Sequence, residues 1–122
     1  MSLVARHLEA SGIPTVIMGC AKDIVELCGV PRFLYSDFPL GNSAGKPFDA
    51  ASQAQTLELA LRVLETAPGP RTTVQSPQRW TEDAEWKKDF NDISTLSPDQ
   101  IAERRKEFEV VKSVARAKRE GA

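Results

Sequence analysis

The chain has 122 residues, 41% of them hydrophobic, and its 16 basic and 17 acidic side chains give a net charge of −1. This length and composition are typical of one globular domain. The balanced charge argues against a surface that mainly follows nucleic-acid phosphates. No apolar run approaches the roughly 18 residues of a membrane span, and the charged N-terminal stretch is not a secretory signal. We therefore predict a cytoplasmic protein with no nucleic-acid or membrane partner.

A short helix is predicted first, ending near Gly12. Because it begins almost at the initiator methionine, we expect any earlier strand of the sheet to come from another chain. Its apolar face is formed by Leu3, Val4, His7 and Leu8.

Two short apolar runs with a helical segment between them predict a β-α-β unit. The runs Pro14–Gly19 and Arg32–Ser36 have the length of buried strands. The segment Ala21–Cys28 between them places Ile24, Leu27 and Cys28 on one helical face. Two strands joined by a helix are most simply parallel.

The most regular helical pattern covers Ala50–Ala67, and Pro68 ends it. Thr72–Val74 then has the composition of a short edge strand. The apolar stripe of the helix consists of Leu57, Ala60, Leu61 and Leu64.

Residues 68–96 are predicted to be an extended segment that carries Trp80, Trp86 and Phe90. Two interpretations of these aromatic side chains stay open. They anchor the segment to the surface of its own domain, or they contact a partner subunit, where tryptophan is enriched among anchoring residues.

A long helix is predicted over residues 97–122, beginning with a capping box at Ser97 and Gln100. Its apolar stripe, which includes Phe108, is too narrow for burial all round, so the helix either lies across the domain or reaches out to another chain. We list Phe108 among the residues expected at a partner interface. The predicted fold is therefore α/β. A small parallel sheet of the flavodoxin or Rossmann type, with flanking helices, occupies residues 1–67; the extended aromatic segment (68–96) and the long helix (97–122) follow.

Functional groups are predicted where the two strands end, because ligands of open α/β sheets bind there. Cys20 follows the first strand, and the start of the next helix would favour its thiolate; a structural cysteine is an equally good interpretation. Asp37 follows the second strand, as a functional carboxylate or a turn-stabilising residue. The residues predicted to line a substrate site are Asp37, Phe38, Pro39, Leu40, Gly41 and Asn42.

Other chemistry is not indicated by the sequence. Cys20 and Cys28 match neither a local dithiol nor a metal-binding spacing, and we expect both to be reduced thiols. His7 is the single histidine, and a structural role suits it best. The sequence has no nucleotide-binding, catalytic-serine or metalloprotease motif. We predict no metal site and identify no cofactor.

Three stretches carry a resemblance to a known family. They are EASGIPTV (residues 9–16), RFLYSD (32–37) and FPLGNSAGKP (38–47), the last followed by a leucine-rich helix. Together they resemble the C-terminal part of the selenoprotein B component of glycine, sarcosine, betaine and D-proline reductases. The resemblance covers about residues 2–67, and the tail with QRW and EWKKDF resembles what non-clostridial members append.

The resemblance implies reductive cleavage of a carbon–heteroatom bond by a nucleophilic sulfur or selenium. In that family the reactive selenocysteine or cysteine lies shortly before the helix that leads into the GIP strand. This chain begins within that helix region, so neither of its cysteines corresponds to the reactive residue. We therefore expect a hetero-oligomer in which a partner chain supplies the N-terminal half and the active thiol or selenol. This chain would be its small subunit, inactive alone, with Cys20 at the junction.

Two alternatives differ in class from this hypothesis. The chain could be a non-catalytic scaffold or binding subunit that has kept the fold and lost the redox chemistry. It could also be a subunit of a non-redox lyase built on the same fold.

Overall fold

The computed structural model describes residues 1–89, 94 and 96–121. They divide into two compact units, Met1–Glu82 and Asp83–Ala122. The elements in chain order are α1 (Ser2–Ala10), β1 (Ile17–Gly19), α2 (Lys22–Leu27), β2 (Arg32–Tyr35), α3 (Ala50–Thr66), β3 (Thr72–Gln75), α4 (Trp86–Asp89) and α5 (Pro98–Glu120). The α/β class is confirmed. The division into residues 1–67, 68–96 and 97–122 stays a prediction.

The first unit is built on a parallel sheet of three strands in the order β1-β2-β3. Ile17 pairs with Phe33, and Phe33 pairs in turn with Thr73. The predicted β-α-β unit is confirmed. The short strand expected after α3 also forms, and it completes the sheet as β3.

The core of this unit is centred on the middle strand. Leu34 is 0% exposed and packs against Ala60 of α3. Phe33 is also buried, and its ring adjoins Gly19 together with Val25 of α2. Because neighbouring residues of a strand point to opposite faces, α2 and α3 cover opposite faces of the sheet.

The predicted apolar stripe of α3 is only partly buried. Leu57 and Leu61 are 55% and 51% exposed, so these two members of the stripe do not face the core. The helix instead approaches the sheet through smaller side chains, which leaves these two leucines on its flank. The buried residues of α3 are Ser52, Thr56, Ala60 and Val63.

In α1 and α2, too, most residues of the apolar face identified in the sequence are exposed. In α2, Val25 adjoins the sheet, whereas Ile24 is exposed and Leu27 is 89% exposed. In α1, Ala5 is buried and Leu3 is exposed. Both helices are short, so the rotation of each one follows from its neighbours rather than from its own apolar pattern.

A cluster of hydroxyl and amide groups connects α3 to the segment after β3. The Ser52 hydroxyl donates to Gln78 Oε1 at 2.6 Å, and Gln78 Nε2 donates to Thr56 Oγ1 at 2.8 Å. The Gln78 backbone N–H donates to Ser76 Oγ at 3.3 Å. Because Ser52, Thr56 and Ser76 are buried, these hydrogen bonds replace water and fix the chain after β3 against α3.

An ion pair at the other end of the sheet holds α1 to β2. Glu9 Oε1 accepts hydrogen bonds from the backbone N–H and the hydroxyl of Thr15 and from Arg32 Nη1. Burial raises the pKa of Glu9, but these hydrogen bonds and the positive charge of Arg32 outweigh it. The pKa of Glu9 therefore lies below its ordinary value of 4.5.

Replacing Glu9 by glutamine is expected to lower the free energy of unfolding by about 1–2 kcal/mol at neutral pH. Because the pKa of Glu9 is lower in the folded than in the unfolded chain, its contribution is fully present above pH 4.5. This contribution is lost as the pH falls through the pKa of Glu9 in the folded chain. Urea unfolding at several pH values measures this, and the wild-type and variant curves should converge in acid.

The control for this prediction is Glu58→Gln. Glu58 pairs with Arg62 at 2.6 Å on the exposed side of α3, where both side chains are mostly in solvent. An exposed pair of this kind contributes about 0–1 kcal/mol. If Glu9→Gln and Glu58→Gln lowered the free energy of unfolding equally, the partly buried pair of Glu9 would contribute no more than an exposed one. That result would contradict the prediction.

The second unit contains α4 and α5. The predicted capping box is confirmed: Ser97 Oγ accepts from the Gln100 N–H at 3.3 Å, and Gln100 Oε1 accepts from the Ser97 N–H at 2.9 Å. None of the described side chains of α5 is buried, and Phe108 is 64% exposed. Within the described part of the chain, no helix is both long enough and apolar enough to cross a membrane.

Candidate functional site

The predicted site residues meet at the edge of the sheet where β1 and β2 end. Cys20 directly follows β1, and Asp37 follows β2 by two residues. The backbone N–H groups of Phe38 and Asn42 both lower the pKa of Cys20, which places them near its sulfur, and they donate to the carbonyls of Ser36 and Pro39. The loop after β2 therefore closes over the end of β1, and it brings Cys20 together with the residues predicted to line a substrate site.

The environment of Cys20 stabilises the neutral thiol. Burial is the largest influence and raises the pKa of Cys20, and the negative charge of Asp37 raises it further. The two backbone N–H donors lower it without compensating, so the pKa lies above its ordinary value of 9.0. The helix that follows has only six residues and no side-chain cap. The expected activation of Cys20 by that helix has no support in this geometry, and its catalytic role stays a prediction.

Tyr35 and Lys22 belong to the same site, although neither was among the site residues predicted from the sequence. The Tyr35 hydroxyl donates to Asp37 Oδ1 at 3.1 Å, and Lys22 Nζ lies 5.8 Å from the centroid of the Tyr35 ring. Burial, followed by the hydrogen bond and charge of Asp37, raises the pKa of Tyr35. Tyr35 is the last residue of its strand, and that position is the signal that could have identified it.

An open cavity of about 560 Å³ lies beside Cys20. Its lining carries both signs of charge, from Lys22, Asp23 and Glu26 of α2. Tyr35 and Leu40 also line this cavity. Charged groups of α2 therefore line the open space next to the thiol.

The loop residues take different roles. Phe38 is buried and packs edge-on against Trp80, with ring centroids 5.5 Å apart. Leu40 points outward into the cavity beside Cys20. Asn42 Nδ2 donates to the carbonyl of Pro39 at 3.1 Å and closes the turn between them. A second cavity, of about 550 Å³, adjoins Gly41 and Asn42 on the β1 side of the loop.

The aromatic residues predicted to contact a partner do not all lie at this site. Trp80 packs on Phe38 within its own unit, which agrees with the interpretation that it anchors the chain to its own surface. Trp86 and Phe108 belong to the second unit, and Phe90 lies outside the described residues. A partner interface at these residues stays a prediction. Among the described residues, no cluster of three or more metal-ligating side chains exists.

Fold and site together define an α/β domain with a thiol and an open cavity at the carboxyl edge of its sheet. The chain is similar to a D-proline reductase subunit gamma from Acetoanaerobium sticklandii, with 31% identity over 78 residues. The aligned region covers 64% of this chain and 32% of that protein, so the match spans about a third of the relative's length. No family model matches the chain, and no solved structure is significantly similar to it.

This similarity supports a distant relation to proline and glycine reductases. It does not single out the selenoprotein B component that the sequence motifs resemble. The relative is itself named as a subunit, which is consistent with a protein partner for this chain.

The thiol of Cys20 is expected to react slowly with iodoacetamide at neutral pH, because only the thiolate is nucleophilic. In a Cys28→Ser variant, where Cys20 is the single thiol, the midpoint of the rate against pH should lie above 9.0. Mass spectrometry of the alkylated chain gives the rate. A midpoint below neutrality would instead show an activated thiolate and would contradict the geometry described above.

Proposed function

We propose that this chain is the small subunit of a selenoprotein-B-like reductase complex in the cytoplasm. The complex cleaves a carbon–heteroatom bond reductively, and a partner chain carries the catalytic cysteine or selenocysteine. The observation that carries the proposal is the similarity to D-proline reductase subunit gamma. That similarity involves only about a third of the relative, so the activity and the partner of the complex are part of the proposal.

The site supports a contributing role rather than independent catalysis. Burial and Asp37 keep Cys20 in its neutral form, and this disfavours it as the primary nucleophile. The cavity beside it presents both signs of charge, which suits an amino-acid substrate with its carboxylate and amine. In the proposed complex, the loop from Phe38 to Asn42 lines the site, and the partner's sulfur or selenium attacks the bound substrate.

A second candidate is a scaffold subunit that binds a partner and takes no part in redox chemistry. The raised pKa of Cys20 fits this candidate as well as the first, since neither needs an activated thiol on this chain. The two functions differ in whether the isolated complex turns over substrate.

The test is to tag the chain in its native host, purify the complex, and identify its components by mass spectrometry. The complex is then assayed for cleavage of D-proline, glycine, sarcosine and betaine with a dithiol reductant. We expect a stoichiometric partner and reductant-dependent turnover that disappears when the partner's active residue is alkylated. A stable complex without turnover would favour the scaffold, and a chain that purifies alone would contradict both functions.

The Cys20→Ser and Cys28→Ser variants of the complex form a matched pair. If the partner holds the nucleophile, Cys20→Ser should retain measurable turnover, and Cys28→Ser should resemble the wild type. If Cys20→Ser abolished turnover and Cys28→Ser did not, the nucleophile would be Cys20 of this chain and not a residue of the partner.

A further inference from the structure

In the part of the chain that the structure describes, the outer edge of β1 has no hydrogen-bonding strand beside it. The order of the sheet places β1 at one edge, and no strand in the described residues lies beyond it. The Gly19 carbonyl accepts from the Ser36 N–H at 2.9 Å, so Gly19 directs its backbone groups toward β2. In a parallel ladder this direction alternates along the strand. Met18 therefore directs its N–H and its carbonyl toward the open edge.

An exposed apolar flank runs beside this edge. Met18 and Leu57 line the same cavity of about 550 Å³, which joins β1 to the flank of α3. Leu61 lies one helical turn beyond Leu57, and more than half of each leucine is exposed. We call the backbone of Met18 and the side chains of Met18, Leu57 and Leu61 the β1 edge surface.

The β1 edge surface carries neither a charge nor a proline, two features that protect many other sheet edges. Lysine, proline and inward-pointing charges discourage pairing with other chains. The strand itself is Ile17-Met18-Gly19, with neither a charge nor a proline. The cavity beside it also has no charged lining residue. The strand has only three residues, so most of the area available to a partner comes from the leucines.

We infer that the β1 edge surface binds a β-strand of the partner protein, which extends the sheet beyond β1. An extended strand is the occupant that satisfies the N–H and the carbonyl of Met18 together. Because the lining is uncharged, we expect that strand to carry apolar side chains at alternate positions. These side chains would face Leu57 and Leu61. This inference rests on the proposed function for the existence of the partner, and it adds the place where the partner binds.

The experiment compares tagged wild-type chain with a Leu57→Lys/Leu61→Lys double variant in the native host. Both side chains are exposed, so the double variant should fold, and circular dichroism checks this. The control is Leu27→Lys, because Leu27 is 89% exposed on α2 at the opposite face of the sheet. We expect the double variant to lose roughly tenfold or more of the recovered partner, and the control to recover as much as the wild type.

Amide hydrogen exchange in the purified complex provides the second measurement. The Met18 amide should exchange roughly tenfold or more slowly in the complex than in the free chain, because the added strand accepts its hydrogen bond. Capture of a protein without protection of this amide would overturn the inference, as would full recovery of the partner by the double variant. In both cases the proposed function would still stand.

The remaining outcomes are also decisive. If the wild-type chain recovers no partner, the proposed function is contradicted. The inference that a partner's strand binds the β1 edge surface is then contradicted as well. If the wild-type chain purifies as a homodimer that the double variant disrupts, the occupant is a second copy of this chain rather than a partner's strand. Size-exclusion chromatography with light scattering distinguishes these two results.

Discussion

Replacing Leu34 by alanine is expected to lower the free energy of unfolding by about 2–5 kcal/mol. Leu34 is 0% exposed and lies on the middle strand, where Ala60 and Val63 of α3 pack against it. The substitution removes buried methyl groups and leaves a cavity between two elements that are both fixed by other contacts. Small domains have only about 5–15 kcal/mol of total stability, so the loss should be visible as a large fall in the urea midpoint.

The matched control is Leu57→Ala, which removes the same groups from a side chain that is 55% exposed. Its effect on the isolated chain should stay within about 0.5 kcal/mol, as for most surface substitutions. The two leucines separate stability from binding: Leu34 should affect unfolding, whereas Leu57 should affect recovery of the partner. Similar losses of stability for both would contradict the assignment of Leu34 to the core and Leu57 to the flank.

Replacing Gly45 by alanine is expected to have the second-largest effect, a loss of about 2–5 kcal/mol. Gly45 has φ +104°, which disfavours any side chain. A methyl group there would also lie 2.8 Å from the backbone N and Cα of Gln53. Since backbone atoms of a helix cannot give way cheaply, the loop itself must move away from α3.

Gly41→Ala controls for backbone strain alone. Gly41 has a similar φ of +97°, but nothing lies within 4 Å of the position a methyl group would take. Gly41→Ala should lower the free energy of unfolding by about 1–3 kcal/mol, which is less than the effect of Gly45→Ala. Urea unfolding measures the loss of stability in each variant. The alkylation rate of Cys20 reports on the position of the loop. Movement of Phe38 and Asn42 away from Cys20 should change the alkylation rate more in the Gly45 variant. Equal effects in both measurements would exclude the close contact with Gln53 as the cause.

The elements that were predictable from the sequence are those whose signals are local. The strands β1 and β2 lie within short, mostly apolar runs, and the capping box at Ser97 is specified within four residues. The position of the site was predictable for the same reason, because strand ends and a glycine-rich loop mark it.

The helix faces and the details of the site depend on distant residues. Leu57 and Leu61 have the spacing of a core stripe, but the hydroxyl groups of Ser52 and Thr56 face inward because Gln78 supplies their partners. No pattern within α3 contains that information. The raised pKa of Cys20 likewise arises from burial and from a charge on another strand end, that of Asp37. The resemblance to a family suggested a function that the residues alone did not.

The edge-on contact between Phe38 and Trp80 gives this protein a built-in optical probe. The indole lies 5.5 Å from a ring that belongs to the loop over Cys20, so its emission depends on where that loop stands. With Trp86 replaced by phenylalanine, the fluorescence would come from Trp80 alone. Occupation of the neighbouring cavity, or arrival of a second chain at the loop, would then be followed in real time without an attached dye.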